Sequence, residues 1–257
     1  MTPKRIPSAR TNQSAQVKVQ LEPVLRAKTL GDQAYASLRE ALASGALPPG
    51  QRLTVRGLVE LLSIGFTPAR EALNRLATEG SLQVGPSRRL MVPALTLARY
   101  EEMVTIRMAL EPMAAVAALP HFSDVDLAAL RIVQDGLLAA KKKEDYVRVL
   151  ARNREFHFSL YRRCGMPTLL AILESLWLQT GPTLRLLYPA YSRQWRGGVN
   201  HASILAALAA RDAPSLAVAI RQDLQDGYVE LSDQLRQKEA QGWAAQPCAE
   251  PLRPVLP

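Results

Sequence analysis

Residues 38–92 read LREALASGALPPGQRLTVRGLVELLSIGFTPAREALNRLATEGSLQVGPSRRLMV, and the order of caps, turns and apolar positions in this stretch decides the fold. A helix is predicted over 32–44, with Ala34, Tyr35, Leu38 and Leu42 on one face and Gly45 as its stop. Leu47-Pro48-Pro49-Gly50 cannot continue a helix and makes a turn. Arg52–Leu53 is a short strand before Thr54, the cap of a second helix over 55–62 that Gly57 weakens from inside. Ser63 to Phe66 turns the chain. Thr67 is then expected to cap a third helix with Pro68 at its first position, where proline fits best. Ala69, Leu73 and Leu76 line the inner side of that helix until Gly80. Apolar runs at 82–84 and 90–92 flank Gly85-Pro86-Ser87-Arg88-Arg89 as a hairpin. Three short helices followed by a hairpin spell a winged helix-turn-helix over residues 29–95.

In that arrangement the third helix enters the major groove and shows its N-terminal residues to base edges. Here these are Thr67, Arg70, Glu71 and Asn74, with Phe66 at the lip. Arg70 is the expected base contact, because a bidentate arginine–guanine pair discriminates by about 1–3 kcal/mol. Arg56 and Thr67 suit phosphates, and Ser87, Arg88 and Arg89 at the wing tip suit phosphates or the minor groove. The competing reading is that these arginines only solvate a small domain. The net charge of +9 concentrates at the N-terminus. There Lys4, Arg5, Arg10, Lys18, Arg26 and Lys28 are opposed by Glu22 alone, in an aperiodic stretch over 1–28 expected to be a disordered basic arm. Such an arm suits salt-sensitive attraction to phosphates, or simple solubilisation.

The remainder is of one character. Amphipathic stretches over 96–119, 124–140, 144–163, 167–187, 193–210 and 213–239, separated by short breaks, predict an all-α bundle of six or seven helices over 96–240. Residues 241–257 hold four prolines and read as a flexible tail. The fold class is therefore mainly α, a winged domain followed by a helical domain. Cys164 and Cys248 suggest no disulfide framework, no apolar run approaches the roughly 20 residues of a membrane span, and no signal peptide is evident. A cytoplasmic protein with no membrane partner is expected.

The 257 residues include only three histidines, which can be weighed one by one. His157 follows Asn153 by four positions, so both project from one helical face. His201 opens a later helix, and Asp223 lies on the last. Two imidazoles, a carboxylate and an amide oxygen suit a divalent transition ion, although a single histidine on an amphipathic helix is more often structural. Arg107 and Arg185 are candidates for pairing an acid, since the guanidinium fork matches a carboxylate. For Arg107 an ion pair with Glu111 on the helix surface is an equal reading. Leu169, Ile172, Leu173 and Leu176 read as core, and His121 carries no chemistry.

The quoted stretch resembles the GntR family of bacterial transcription regulators, notably in LPPGxxL, TPxREAL and RLxxEG. Two positions depart from the family pattern. Gly65-Phe66 stands where Ser/Thr-Arg is usual, and Arg89 where the wing usually has glycine. IRMALEPMAA, NREFHFSLYRRCGMPTLL and HASILAALAARDAPSLAVAIRQDL are similar to the FCD ligand-binding domain of FadR-type members. The resemblance implies a metal on an Asp or Asn and three histidines. Asn153, His157, His201 and Asp223 stand at those positions, the last an aspartate in place of a histidine. It further implies a homodimer on a palindromic double-stranded operator, most often a repressor. A small carboxylate effector would be held by Zn, Mn or Ni or by arginines, with no organic cofactor. A metal-dependent enzyme and a DNA-binding dimer with a purely structural bundle are the alternatives.

Overall fold

The computed structural model describes residues 28–85, 89–187 and 197–243. Ser87 and Arg88 at the expected wing tip, the basic arm up to residue 27 and the tail from 244 lie outside them.

Helix α1 (Leu30–Ala43) begins two residues before the predicted start because Thr29 and Asp32 form a capping box. The Thr29 hydroxyl accepts from the Asp32 N–H at 3.1 Å, and the Asp32 carboxylate accepts from the Thr29 N–H at 3.0 Å. Gly45, at φ +67°, turns the chain out of α1 in the left-handed conformation that glycine enters without steric cost. Strand β1 (Arg52–Leu53) precedes α2 (Val55–Leu62), whose cap is Thr54, accepting from the Gly57 N–H at 3.0 Å.

Helix α3 (Phe66–Thr78) corrects one expectation. Its N-cap is the extended Gly65, so Thr67 and Pro68 fall at the second and third helical positions and Thr67 caps nothing. Proline is still tolerated, since first-turn N–H groups have no intrahelical partner. Strands β2 (Gln83–Val84) and β3 (Leu90–Met91) form the wing, and β3 also pairs antiparallel with β1, giving the order β1-β3-β2.

The bundle comprises α4 (Leu97–Ala118), α5 (Asp124–Lys142), α6 (Tyr146–Tyr161), α7 (Pro167–Leu184), α8 (Gly197–Ala210) and α9 (Ala213–Ala240). Short 3-10 turns at Leu119–His121 and Arg185–Leu187 follow α4 and α7. Of the stripe expected to be core, Leu169, Leu173 and Leu176 are buried, whereas Ile172 is 44% exposed. By length and composition α4 could cross a bilayer, which the sequence reading did not expect, yet half of its apolar window is buried. It also carries the buried Arg107 and Glu111 at its middle, so it is packed as a core helix.

Helix α7 ties the two parts together. It runs unbroken through Gly181-Pro182 to Leu184. A residue before proline is pushed out of the helical region partly by its Cβ, which Gly181 lacks. That absence has a second use. A Cβ on Gly181 would stand 2.6 Å from the Leu42 carbonyl oxygen and 2.8 Å from Ala43 Cα, so the backbones of α7 and α1 touch. Leu178 completes the winged domain's apolar core, beside Leu42, Leu73 and Leu76. Arg39–Glu174 (3.0 Å) and Arg154–Glu40 (3.2 Å) flank the contact.

This geometry predicts the sign of a substitution. In a free helix Gly→Ala stabilises by about 1 kcal/mol. Gly136→Ala in α5, where a Cβ finds only ordinary contact 3.5 Å from Arg152, should raise the urea midpoint. Gly181→Ala should lower it, at a cost of about 1–3 kcal/mol in stability, since backbone atoms must move by several tenths of an ångström. Stabilisation by both would show that the α1–α7 approach is not this close in solution.

Candidate DNA-contacting and effector sites

Helix α3 buries Ala69, Ala72, Leu73 and Leu76 and exposes Phe66, Thr67, Arg70, Glu71 and Asn74. The split follows from the 3.6-residue period, so the expected DNA-reading residues share the outer face. Phe66 is 57% exposed, an unusual position for a phenyl ring on a free surface. Arg56 is exposed but bound to Glu60 at 3.0 Å, a pair that a phosphate would have to displace. Arg89 is exposed at the base of the wing, where its carbonyl accepts from the Gly85 N–H at 2.7 Å.

What orients this face was not evident from sequence. Arg75 on the inner side of α3 reaches Asp32 of α1 at 2.8 Å and lies 3.8 Å over the Tyr35 ring. The Tyr35 hydroxyl donates to Glu79 at 2.5 Å. The Thr29 N–H, then Arg75, hold the Asp32 carboxyl down at about 2.

The second site lies inside the bundle, in a cavity of about 70 Å³. Its polar lining is Tyr100, Arg107, Asn153, Trp177 and Asp223, and Val104, Leu137, Val149, Leu150, Leu184, Leu187 and Leu224 supply an apolar wall. Helices α6, α8 and α9 bring His157, His201 and Asp223 together, with one ligand atom of each within 4.8 Å of the others. His157 Nε2 stands 3.1 Å from Asp223 Oδ2, and His201 Nε2 stands 4.0 Å from Oδ1. Asn153, one turn before His157, lines the same cavity. Arg185 does not. It is exposed on the 3-10 turn beside Gly45 and is not among the residues that line this cavity.

Around the three ligands the hydrogen bonds fix the tautomers. Gln134 Oε1 sits 2.6 Å from His201 Nδ1, and a carbonyl oxygen only accepts, so Nδ1 carries the proton. The Tyr161 hydroxyl donates to Glu111 at 2.8 Å and therefore accepts from His157 Nδ1 at 3.2 Å. The Nε2 atoms of both rings then face Asp223. His201 Nε2 is buried with no hydrogen-bond partner. Burial, helped by His157 and opposed by Asp223, lowers the His201 pKa to about 4, which keeps the ring neutral as a ligand must be. Burial alone would raise the Asp223 pKa. His157, His201 and Arg107 outweigh it and keep the carboxyl below its ordinary value. A lone pair 3.1 Å from a carboxylate oxygen is repulsive unless a cation, proton or metal, lies between. The donor set therefore fits a divalent ion.

Arg107 is not on the helix surface. It is 5% exposed, its Nε donates to Glu111 at 2.6 Å, and its guanidinium lies 4.4 Å over the Trp177 ring. Glu111 also accepts from Trp177 Nε1 at 2.8 Å. Gln134, Tyr161, Trp177 and Phe156, which stacks on His201 with centroids 3.9 Å apart, escaped the sequence reading. Nothing in their local patterns distinguishes them from ordinary core residues.

Comparisons with known proteins bear on both sites. The family model described as "Bacterial regulatory proteins, gntR family" matches residues 30–92, and the FCD domain matches residues 102–226. The "HTH-type transcriptional regulator McbR" of Escherichia coli (strain K12) is 37% identical over 177 residues, 68% of this chain and 80% of that one. The solved structure "E. coli McbR/YncC" superposes with a TM-score of 0.76 at 34% identity, over 80% of this chain and 98% of that one. A putative GntR regulator from Rhodococcus sp. RHA1, at 20% identity, shares the fold, with a TM-score of 0.65 over 78% of this chain and 96% of that one.

Because the Asp32 pKa is depressed by folding, its stabilisation is complete above about pH 4 and is lost as the pH falls toward 2. The stability gap between the wild type and Asp32→Asn should close across that window. A gap constant from pH 6 to pH 2 would show that the capping box and Arg75 do not hold the carboxylate.

Proposed function

The chain belongs to the GntR family of bacterial transcription regulators and carries an FCD domain, and from that membership we propose that it is an effector-responsive repressor. A homodimer would place two winged domains on a palindromic operator in the cytoplasm, its two-fold axis matching that of the site. An apolar stripe on α4, exposed Ile106 and Met113 with half-buried Leu110 between them, supports a dimer surface. Arg70 would read a base, Asn74 and Phe66 would flank it, and Thr67, Arg56, Arg88 and Arg89 would meet the backbone or minor groove.

His157, His201 and Asp223 would hold Zn, Mn or Ni, ions that accept imidazole and carboxylate together, with Asn153 near the open side. The ion would supply a positive anchor for a small carboxylate, and Arg107 would orient it. One observation carries the reading. On α7, Trp177 lines the cavity and the next residue, Leu178, completes the core of the DNA-binding domain. Both states of the pocket thus bear on the orientation of the winged domain. A ligand shifts that orientation only by the difference in its affinity for the two arrangements. The matched families and relatives are transcription regulators, not enzymes, and this link gives the bundle more than a scaffolding role.

Selection from random duplexes should enrich a two-fold symmetric site. Arg70→Ala should cost about 1–3 kcal/mol and relax preference at one base position per half-site. Equal weakening on all sequences would reassign Arg70 to phosphate, and no enrichment at all would overturn the operator reading. For the metal, saturation at 100 times the dissociation constant should stabilise the folded chain by about 2.7 kcal/mol. Asp223→Ala and His201→Ala should abolish that gain. An unchanged gain in both would place the ion elsewhere.

A further inference from the structure

We infer that Phe66 reads the 5-methyl group of a thymine in the operator, within about two base pairs of the guanine assigned to Arg70. This rests on the DNA-reading role of α3 proposed above and adds to it one named chemical feature of the duplex.

Phe66 stands apart from the other phenylalanines of the chain. Phe122, Phe156 and Phe158 are 2%, 1% and 0% exposed, whereas Phe66 is 57% exposed. Aromatic rings carry much of the apolar burial that drives folding, and this one is left out of it. It occupies the first position of α3, after the extended Gly65, and Pro68 two residues on restricts the backbone that carries it. Its exposed neighbours Thr67, Arg70 and Asn74 are polar. Glu71 is taken up elsewhere. A Cβ on Gly31 of α1 would stand 2.6 Å from a Glu71 carboxylate oxygen, so that carboxylate lies against α1. The first turn of α3 thus presents one apolar ring among hydrogen-bonding side chains.

The major groove limits what such a ring can meet. Its base edges offer hydrogen-bond donors, acceptors and a single kind of apolar group, the thymine methyl. A phenyl ring laid on an amino group, a carbonyl or a ring nitrogen strips water from it and supplies no hydrogen bond in return, which is unfavourable. Over a thymine methyl, both partners leave water for an apolar contact. Phe66 and Arg70 are four residues apart and share a helical face. Four residues rise about 6 Å along a helix, and successive base pairs rise about 3.4 Å along the duplex. With α3 lying in the groove, the thymine therefore falls within about two base pairs of the guanine. A ring driven between base pairs as a wedge is the competing reading, and a wedge does not require the methyl group.

The test uses the full-length chain and the duplex enriched from a random pool, with dissociation constants read by fluorescence anisotropy at fixed salt. Each thymine of a half-site, together with its symmetry mate, is replaced in turn by uracil, which removes the 5-methyl group alone. At one position, close to the base whose preference Arg70→Ala relaxes, uracil should weaken the wild type about fourfold per half-site and roughly fifteenfold over the pair. Phe66→Ala should bind the thymine duplex correspondingly less tightly and make no distinction between thymine and uracil there. Phe66→Leu, still apolar, should keep most of the distinction. With a cytosine–guanine pair at that position, 5-methylation of the cytosine should strengthen binding by the wild type and leave Phe66→Ala unmoved. Both variants should keep the wild-type Tm, since the ring is exposed, which separates loss of binding from loss of fold. Uracil tolerated by the wild type at every position overturns the inference. So does an equal weakening of the thymine and uracil duplexes by Phe66→Ala, the mark of a wedge. A pool that enriches no duplex overturns the operator reading and this one with it. An enriched duplex bound by Phe66→Ala as tightly as by the wild type leaves the operator reading standing and refutes this one alone.

Discussion

The closest constraint in the molecule is the meeting of two backbones at Gly181. With a would-be Cβ 2.6 Å from the Leu42 carbonyl, α7 and α1 pack as near as main chains permit. This contact joins what would otherwise be two bodies connected by a short linker. Leu178 is buried in the winged domain's core on one side of α7, and Trp177 is anchored by Glu111 on the other. Interfaces between domains of one chain are usually more polar and looser than this. Here the polar contacts, Arg39–Glu174 and Arg154–Glu40, sit at the rim, where solvent weakens them. Apolar packing at the centre holds the angle between the parts.

A second constraint is electrostatic. Glu111 is fully buried and accepts from Arg107, Trp177 and Tyr161 at once. A buried carboxylate is tolerable only when paired and fully hydrogen-bonded, and this one is. The network costs more to break than to keep, so it ties Trp177 of α7 and Tyr161, the partner of His157, to Glu111 of α4. His201 is held just as firmly by Gln134 and the face of Phe156. Asp223, its side chain 15% exposed, completes the donor set from α9. The site is preorganised on two of its three ligands.

The sequence disclosed whatever is governed by near neighbours. Thr54, Gly45 and the apolar period of α3 act within one or two turns, and the winged domain could be laid out from them. Thr67 failed as a cap because Gly65, which has no side chain to announce itself, adopts the extended conformation that starts the helix. The bundle helices were legible from their period, and the stretch over 167–187 passes through Gly181-Pro182 as the helix does. Proline usually ends a helix, and here the residue before it, Gly181, has no Cβ to clash with the ring. The triad His157, His201 and Asp223 joined three separate helices, and its prediction leaned on the family pattern. Gln134, Phe156 and Trp177 carry no local mark at all, since their roles exist only after the helices have packed. Arg185 shows the converse: a plausible residue type at a plausible place in the chain, turned outward by a 3-10 turn.

These constraints together bear on how a pocket of this size could matter to a surface that reads DNA. Close-packed interiors transmit displacement because they have little free volume to absorb it. His157 lies against Trp177 with ring centroids 5.4 Å apart, and the backbone that carries Trp177 is one residue from Leu178. At Gly181 there is no gap in which a shift of α7 could dissipate, so α1 must follow as a body. From α1 the Arg75–Asp32 and Tyr35–Glu79 contacts reach α3, and the same pair of helices shares the apolar core. A movement of α7 would thus reach α3 as a rotation of the whole winged domain, without bending it. In the dimer proposed above, such a movement would change the spacing and tilt between the two α3 helices. Operator spacing tests that quantity more stringently than any single base contact does.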